Sequence, residues 1–252
     1  MGNMVVEEMS AVVLAGGLGT RLQTVVSDRP KSMAEIAGTP FLEYLIAWLA
    51  AFGIKEVVLC VGYKSEAIHD WLIASALPLH VRVSQEVKPL GTAGALKQAE
   101  PFLNRGTFLV LNGDSILDVD VPTLVADHAR HRATATIALG RSNEVGRYGR
   151  VLLDRAGRVT AFAEKQAVIS RPDGPEWING GIYVFEHEVF DLIPAAPPAV
   201  SIETELFPSL IGCGLYGFPS DGYFIDIGVP KDYQTAQKEL PRRFGRVHAH
   251  SR

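Results

Sequence analysis

Ala11-Val-Val-Leu-Ala-Gly-Gly-Leu-Gly-Thr-Arg21 (AVVLAGGLGTR) is an apolar run that stops abruptly in three glycines, a threonine and an arginine. Ala11 to Ala15 predict a strand buried on both faces, and the apolar residues of 40–52 recur at helical spacing. The glycines therefore lie beyond the carboxyl end of a buried parallel strand, the edge at which open α/β sheets bind ligands. Gly16, Gly17 and Gly19 permit positive φ and let a ligand approach bare backbone, so successive N–H groups can turn inward as an anion nest. Arg21 adds a planar fork suited to phosphate. The stretch predicts a phosphate cradle, although a tight structural turn would use the same glycines.

Two familiar cradles are excluded. A dinucleotide fingerprint built on Gly17-x-Gly19 requires Gly or Ala where Leu22 stands, and a P-loop starting at Gly16 requires glycine where Arg21 stands. Ten residues after Arg21 comes Lys31, in Arg29-Pro-Lys-Ser-Met33, with Pro30 favouring an extended approach. A loop lysine is ordinarily a solvated charge. An arginine, an N–H nest and a lysine on one excursion form a stronger pattern, because substitution at a triphosphate needs several positive groups around the reacting phosphorus and the departing pyrophosphate.

Composition narrows the classes. The 252 residues are 47% apolar and 21% charged, a globular profile that one large α/β domain accommodates, and no linker-like tract divides the chain. A formal net charge of −4 argues against a nucleic-acid partner while allowing a local basic pocket for a phosphorylated small molecule. Cys60 falls in an apolar strand pattern and Cys213 among glycines, so a reduced, cytoplasmic setting is expected rather than a disulfide framework. With no signal-peptide pattern and no long apolar run, no membrane partner is expected either. A homo-oligomer stays open. Residues 1–240 are read as a single domain, with a nucleotide-binding half over 10–130 and a second-substrate half over 131–240. Residues 241–252, with four arginines and no acid, are expected to form a disordered tail.

Strand-like runs at 10–15, 55–61, 79–84 and 107–112 alternate with helix-like runs at 40–52, 64–76, 92–100 and 121–131. This predicts a Rossmann-like, mostly parallel sheet flanked by helices. After Ala133, TATIALG, GRVLLD and RVTAFAE are closely spaced β-rich runs with a hairpin turn at Asp154 to Gly157, so a small antiparallel section is expected. The chain then returns to GGIYVFE at 180–186, a helix-like run near 202–211, the strand signal GYFIDIG and a helix over 230–239.

Asp114, in LNGDS just past an apolar strand, shares the sheet edge of the glycine loop if the strands are parallel. A carboxylate there suits Mg²⁺, which takes one or two carboxylates plus substrate phosphates; an Asx turn would also use it. The candidate partner is Asp226 in GYFIDIG, an acid inside an apolar run where burial without a cation or donor is costly. The two make a metal pair only if the fold joins them. Gly91-Thr-Ala-Gly-Ala95 opens a helix and can admit a flat base against small side chains. Glu164, Lys165, Asn179 and Gly180 offer groups for sugar hydroxyls. Asp127, His128 and His131, lacking a further defined ligand, read as an exposed helix end rather than a zinc site.

In combination these motifs resemble the sugar-1-phosphate nucleotidyltransferases over roughly residues 10–240. LAGGLGTRL with RPKSM is similar to the family's triphosphate signature, which implies that Leu14, Ala15, Gly16, Gly17, Gly19, Thr20, Arg21 and Lys31 surround the nucleotide, with Arg21, Lys31 and Asp114 catalytic. LNGDS and FIDIGVPKDY resemble its two metal motifs, implying Mg²⁺ on Asp114 and Asp226 with Asn112 beside the nucleotide. LGTAGAL resembles the base segment, implying Gln85, Gly91 and Thr92 near the base. YGRV, FAEKQ and INGGIYVF resemble sugar-side motifs, implying Gly149, Glu164, Lys165, Asn179 and Gly180 around the sugar phosphate. The fold implied is the nucleotide-diphospho-sugar transferase fold. Many relatives read Arg-Leu-x-Pro-Leu-Thr after the glycines and Glu-Lys-Pro at the sugar motif, where this chain has Gln23 to Asp28 and Gln166. VVSDRPKSMAEIAGTPFLEYL is most similar to the branch that joins GTP and D-glycero-α-D-manno-heptose 1-phosphate. Guanine's N1 and N2 donors would suit a carboxylate such as Glu86 or backbone carbonyls. The alternatives are mannose 1-phosphate with GTP, another sugar phosphate with UTP, dTTP or CTP, a cytidylyltransferase with a non-sugar acceptor, or an inactive regulatory nucleotide-binding subunit.

Overall fold

The computed structural model describes residues 6–17, 22, 25–142, 147–163, 176–194 and 199–248. The apolar run ahead of the glycines forms β1 (Ser10–Leu14), followed by the two-residue strands β2 (Glu35–Ile36) and β3 (Thr39–Pro40) and by α1 (Phe41–Ala51). The alternation continues through β4 (Glu56–Val61), α2 (Glu66–Ala74), β5 (His80–Gln85), α3 (Gly91–Ala99), β6 (Phe108–Asn112), β7 (Ser115–Leu117) and α4 (Val121–His131). β8 (Ala135–Ser142), β9 (Arg150–Leu153), β10 (Val159–Ala163) and β11 (Glu176–Phe185) make the antiparallel section. The described chain closes with α5 (Phe207–Leu210), β12 (Leu215–Pro219), β13 (Phe224–Asp226) and α6 (Pro230–His248).

Strands β6, β1, β4 and β5 pair in parallel in that order. β11 adds antiparallel to β6, β8 adds antiparallel to β11, and β12 runs parallel to β8. β9 meets the start of β11 through Arg150 and Ile178 and carries β10 along its other edge. The mixed sheet has parallel central strands and helices on both faces, as the alternation of runs predicts. The turn between β9 and β10 also matches: Asp154 Oδ1 accepts from the N–H groups of Ala156 (2.8 Å) and Arg158 (2.9 Å).

Side-chain alternation divides the core in two. On β1, Ala11 and Val13 face α1, α2, α4 and α6, while Val12 faces α3 and α5. Leu109 and Leu111 of β6 join the first layer, Phe108 and Val110 the second. Each fully buried Val, Leu, Ile or Phe contributes roughly 1.5–3 kcal/mol relative to exposure. In α1, eight of eleven residues are buried, so this helix is apolar on nearly every side and needs a second cover, which α6 supplies. It ends at Gly53, whose φ of +84° suits a residue without Cβ, and Ile54 N–H closes back on the Leu49 carbonyl at 3.3 Å.

Two expectations are corrected. Residues 241–248, expected to be a disordered tail, continue α6, because Leu240 and Phe244 are buried against the α1 layer. Pro241 removes one helical donor without ending the helix. His128 is not on an exposed helix end: it is fully buried, with Nδ1 2.8 Å from Thr136 Oγ1 and Nε2 3.2 Å from Glu186 Oε1. The helix-like run near 202–211 is helical as expected, a π-helical turn (Ile202–Leu206) leading into the short α5, while β12 lies outside the runs read from the sequence. Both cysteines are free, as expected. Among the described residues, no helix is long and apolar enough to cross a membrane.

Candidate active site

The glycine loop and the Asp114 loop are fastened together by backbone. Gly113 N–H donates to the Leu14 carbonyl at 3.0 Å, and a Cβ on Gly113 would lie 2.7 Å from that oxygen. Only glycine lets the chain leaving β6 press this closely on the chain leaving β1. Asp114 is thereby delivered beside Ala15, Gly16 and Gly17. The register of β7 with β13 then sets Ser115 opposite Asp226, and Ile227 N–H donates to the Asp114 carbonyl at 3.0 Å. Two acids 112 residues apart thus meet at one sheet edge.

Between them stands Lys31. Pro30 is extended (ψ 154°) and leads into a 3₁₀ turn, Lys31–Met33, that aims the lysine at the acids. Its Nζ donates to Asp114 Oδ2 at 2.6 Å and to Asp226 Oδ1 at 3.1 Å. The side chains of Lys31 and Asp226 are 10% and 18% exposed, that of Asp114 39%, so Asp114 is the open carboxylate of the set. Burial alone would lower the Lys31 pKa, but the charges of Asp114 and Asp226 and their hydrogen bonds outweigh it and raise the ammonium above the ordinary lysine value. Asp226 Oδ1 also accepts from Gly228 N–H at 2.6 Å, and a Cβ on Gly228 would meet Lys31 Nζ at 2.6 Å. The second metal-like motif therefore needs its glycine.

These groups open onto a cleft of about 600 Å³. One wall carries Leu14, Gly16, Gly17, Glu86, Gly91 and Thr92; the other carries Tyr148, Gly149, Phe162, Asn179 and Phe224, with Asn112, Asp114 and Asp226 at the floor. Ala15 and Lys31 line a small adjoining recess with Ser32, whose buried hydroxyl has no hydrogen-bond partner among the described residues. Asn179 is placed by a bulge in β11: its Oδ1 accepts from Gly181 N–H and its Nδ2 donates to Tyr183 Oη, both at 2.9 Å. Gly149 lacks a Cβ because the Phe162 ring would be 2.7 Å from one.

Not every expected residue reaches the cleft. Gln85 turns away, its Nε2 donating to Ser65 Oγ at 3.0 Å and its Oε1 lying 3.3 Å from His69 Nε2. The neighbouring Glu86 faces the cleft instead, bonded through Oε2 to Leu90 N–H at 3.0 Å, and burial raises its pKa. Gly180 is packed within the sheet, where a Cβ would lie 2.6 Å from Leu117 and 2.7 Å from the Ala138 carbonyl. Gly19, Thr20, Arg21, Glu164 and Lys165 lie outside the described residues. Cleft residues not singled out from the sequence include Tyr148, Phe162 and Phe224, which stand inside YGRV, FAEKQ and FIDIGVPKDY, and Glu203, whose run SIETEL carries no distinctive pattern.

The nucleotidyl transferase family model matches residues 10–243, spanning both walls of the cleft and all three of Lys31, Asp114 and Asp226. The chain belongs to the nucleotidyl transferase family. It is 39% identical over 92% of its length to the D-glycero-alpha-D-manno-heptose 1-phosphate guanylyltransferase of Aneurinibacillus thermoaerophilus, of which it covers 98%. It is 37% identical over 95% of its length to the mannose-1-phosphate guanylyltransferase of Mycobacterium tuberculosis, covering 66% of that protein. In three dimensions it is similar to HddC from Yersinia pseudotuberculosis, with a TM-score of 0.80, 33% identity and coverage of 92% and 99% of the two chains. HddC has also been solved in complex with GMP-PN. In this nucleotidyltransferase the parallel central strands, flanking helices and antiparallel flank make up the nucleotide-diphospho-sugar transferase fold.

Proposed function

We propose that this nucleotidyltransferase joins GTP and D-glycero-α-D-manno-heptose 1-phosphate to give GDP-D-glycero-α-D-manno-heptose and pyrophosphate. The observation that carries the reading is the meeting of Lys31, Asp114 and Asp226 at one end of a cleft long enough to have a glycine-lined wall and a separate wall with Asn179 and Gly149. The choice of sugar and base is supported by the heptose guanylyltransferase relative.

A sugar 1-phosphate oxygen attacks the α-phosphorus in line, forming one P–O bond as the bond to the β-phosphate oxygen breaks and pyrophosphate leaves. The attacking oxygen is already anionic, so alignment and charge neutralisation suffice without a general base or a covalent enzyme intermediate. Lys31 carries positive charge to the triphosphate together with Arg21, and stands in the adjoining recess beside Ala15 and Gly17. Asp114 and Asp226 fit Mg²⁺, since two carboxylates that already share one cation, completed by substrate phosphates, match that ion's usual donors; bound there, Mg²⁺ would offset charge at the α-phosphate. Glu86 is the carboxylate that suits guanine's N1 and N2 donors.

A second reading, transfer to mannose 1-phosphate, is favoured by the mycobacterial relative. Pyrophosphate release with GTP and each sugar phosphate separates them. The heptose is expected to give a kcat/KM at least tenfold above mannose 1-phosphate, and the reverse order would establish the second reading.

A further inference from the structure

Among the described cleft carboxylates, Glu203 is the one for which neither the phosphate chemistry nor the base has a use. It sits on the π-helical turn Ile202–Leu206, a geometry that recurs at functional sites. Its Oε2 accepts from Thr92 Oγ1 and from Ser201 Oγ, each at 3.0 Å. Both hydroxyls are themselves fixed by backbone: Thr92 Oγ1 accepts from Ile202 N–H at 2.8 Å, and Ser201 Oγ accepts from the N–H groups of Glu203 (3.1 Å) and Thr204 (3.2 Å). One carboxylate oxygen is thus locked from two sides, and the other, Oε1, has no hydrogen-bond donor among the described residues. An ionised carboxylate accepts at both oxygens and cannot donate, so what it calls for is a ligand bearing O–H or N–H groups.

The surroundings suggest which ligand. Behind Glu203, Phe207 packs against Tyr183 and Phe162 at centroid distances of 5.2 and 5.4 Å, and Tyr183 Oη holds Asn179. Glu203 therefore bonds Thr92 of the glycine-lined wall while sharing its aromatic support with Phe162 and Asn179 of the other. Resting on the proposed reaction, we infer that Glu203 is a specificity residue whose free oxygen accepts hydrogen bonds from adjacent ring hydroxyls of the sugar 1-phosphate. The vicinal diol of the nucleotide's ribose has the same chemistry, so the test distinguishes the two sources.

Glu203→Gln keeps a carbonyl oxygen for Thr92 and Ser201 while placing an NH₂ group where the diol would donate; Glu203→Asp withdraws the carboxylate by one methylene. Both variants are expected to raise KM for the sugar 1-phosphate roughly ten- to hundredfold, as loss of a hydrogen bond to a charged group does, with KM for GTP and the thermal midpoint little changed. Among 2-, 3- and 4-deoxy mannose 1-phosphates, at least one should lose a similar factor with the wild-type protein and none further with Glu203→Gln. Equal sugar KM values in wild type and both variants overturn the inference and leave the reaction standing. An increase confined to KM for GTP, abolished with 2′-deoxy-GTP, assigns the carboxylate to ribose and also overturns it. If the wild type releases no pyrophosphate, calorimetry with D-glycero-α-D-manno-heptose 1-phosphate decides: binding lost in Glu203→Gln upholds the site without the reaction, and no binding by either protein overturns both.

Discussion

Lys31 serves two carboxylates at once, and its surroundings explain how one residue supports both folding and chemistry. Its ammonium separates Asp114 from Asp226, and in the proposed reaction the same positive charge serves phosphate oxygens. Asp114 is the most exposed of the three, so Asp114→Asn is expected to lower kcat on the order of 10²-fold or more while shifting the urea midpoint little, and near-normal turnover with Mg²⁺ would remove the acid from the metal role. His128 and Glu186 carry a different consequence. The His128 hydrogen bond holds the Glu186 carboxyl below the ordinary glutamate value of 4.5, with Thr107 adding to the effect and burial opposing it. A pKa depressed on folding contributes stability that is present above the unfolded value and is lost as pH falls through the folded one. The stability difference between wild type and Glu186→Gln should therefore be largest above pH 4.5 and shrink below it, as read from urea midpoints across the acid range; a difference independent of pH would contradict the assignment. At this scale the sequence was legible where chemistry and hydropathy conflict. Asp226 stands out as an acid within an apolar run, whereas Glu203 in SIETEL looks like any surface acid, because its partner Thr92 is 111 residues away.

At the scale of elements, the site depends on short pieces more than on the long ones. β7 and β13, three residues each, bring Asp226 to Asp114, and the bulge between Asn179 and Ile182 turns β11 so that Asn179 meets the cleft. The bulge contains Gly181, at φ +74°, where a Cβ would collide with Ser115 Oγ and approach Asn112 Nδ2 to 3.2 Å. Gly181→Ala is expected to cost about 1–3 kcal/mol for the backbone conformation alone, lowering Tm by several degrees; an unchanged melting curve would show that the bulge relaxes freely. The long elements were read closely from periodicity, with β1, β4, β5 and β6 and helices α1 to α4 falling within a residue or two of the runs that announce them. β12 was not, since it repeats no pattern long enough to declare itself. The end of α6 differs for a related reason: a stretch with four arginines and no acid reads as a tail, and only the packing of Phe244 against the α1 layer shows why the helix continues.

The whole molecule explains why the functional residues are so dispersed in sequence. Parallel strands deliver their carboxyl ends to one edge, so the loops after β1 and β6 meet there although nearly a hundred residues separate them, and the antiparallel flank adds the opposite wall. The sequence could announce this arrangement because buried parallel strands are continuous apolar runs, and because the loops that follow them concentrate glycine and charge. It could not announce which wall residues face the cleft, as the exchange of Gln85 for Glu86 illustrates: adjacent residues at a strand end point in opposite directions, and a shift of one decides the matter. The central claim is that this cleft transfers a nucleotidyl group to a sugar phosphate. The measurement that tests it most directly is pyrophosphate released by the purified chain with Mg²⁺, GTP and D-glycero-α-D-manno-heptose 1-phosphate, quantified beside the nucleotide sugar formed. Equal amounts of the two products, dependent on the sugar phosphate and lost in Asp114→Asn, are the predicted result. GTP bound with no pyrophosphate released from any nucleoside triphosphate, whichever sugar phosphate is supplied, would contradict it.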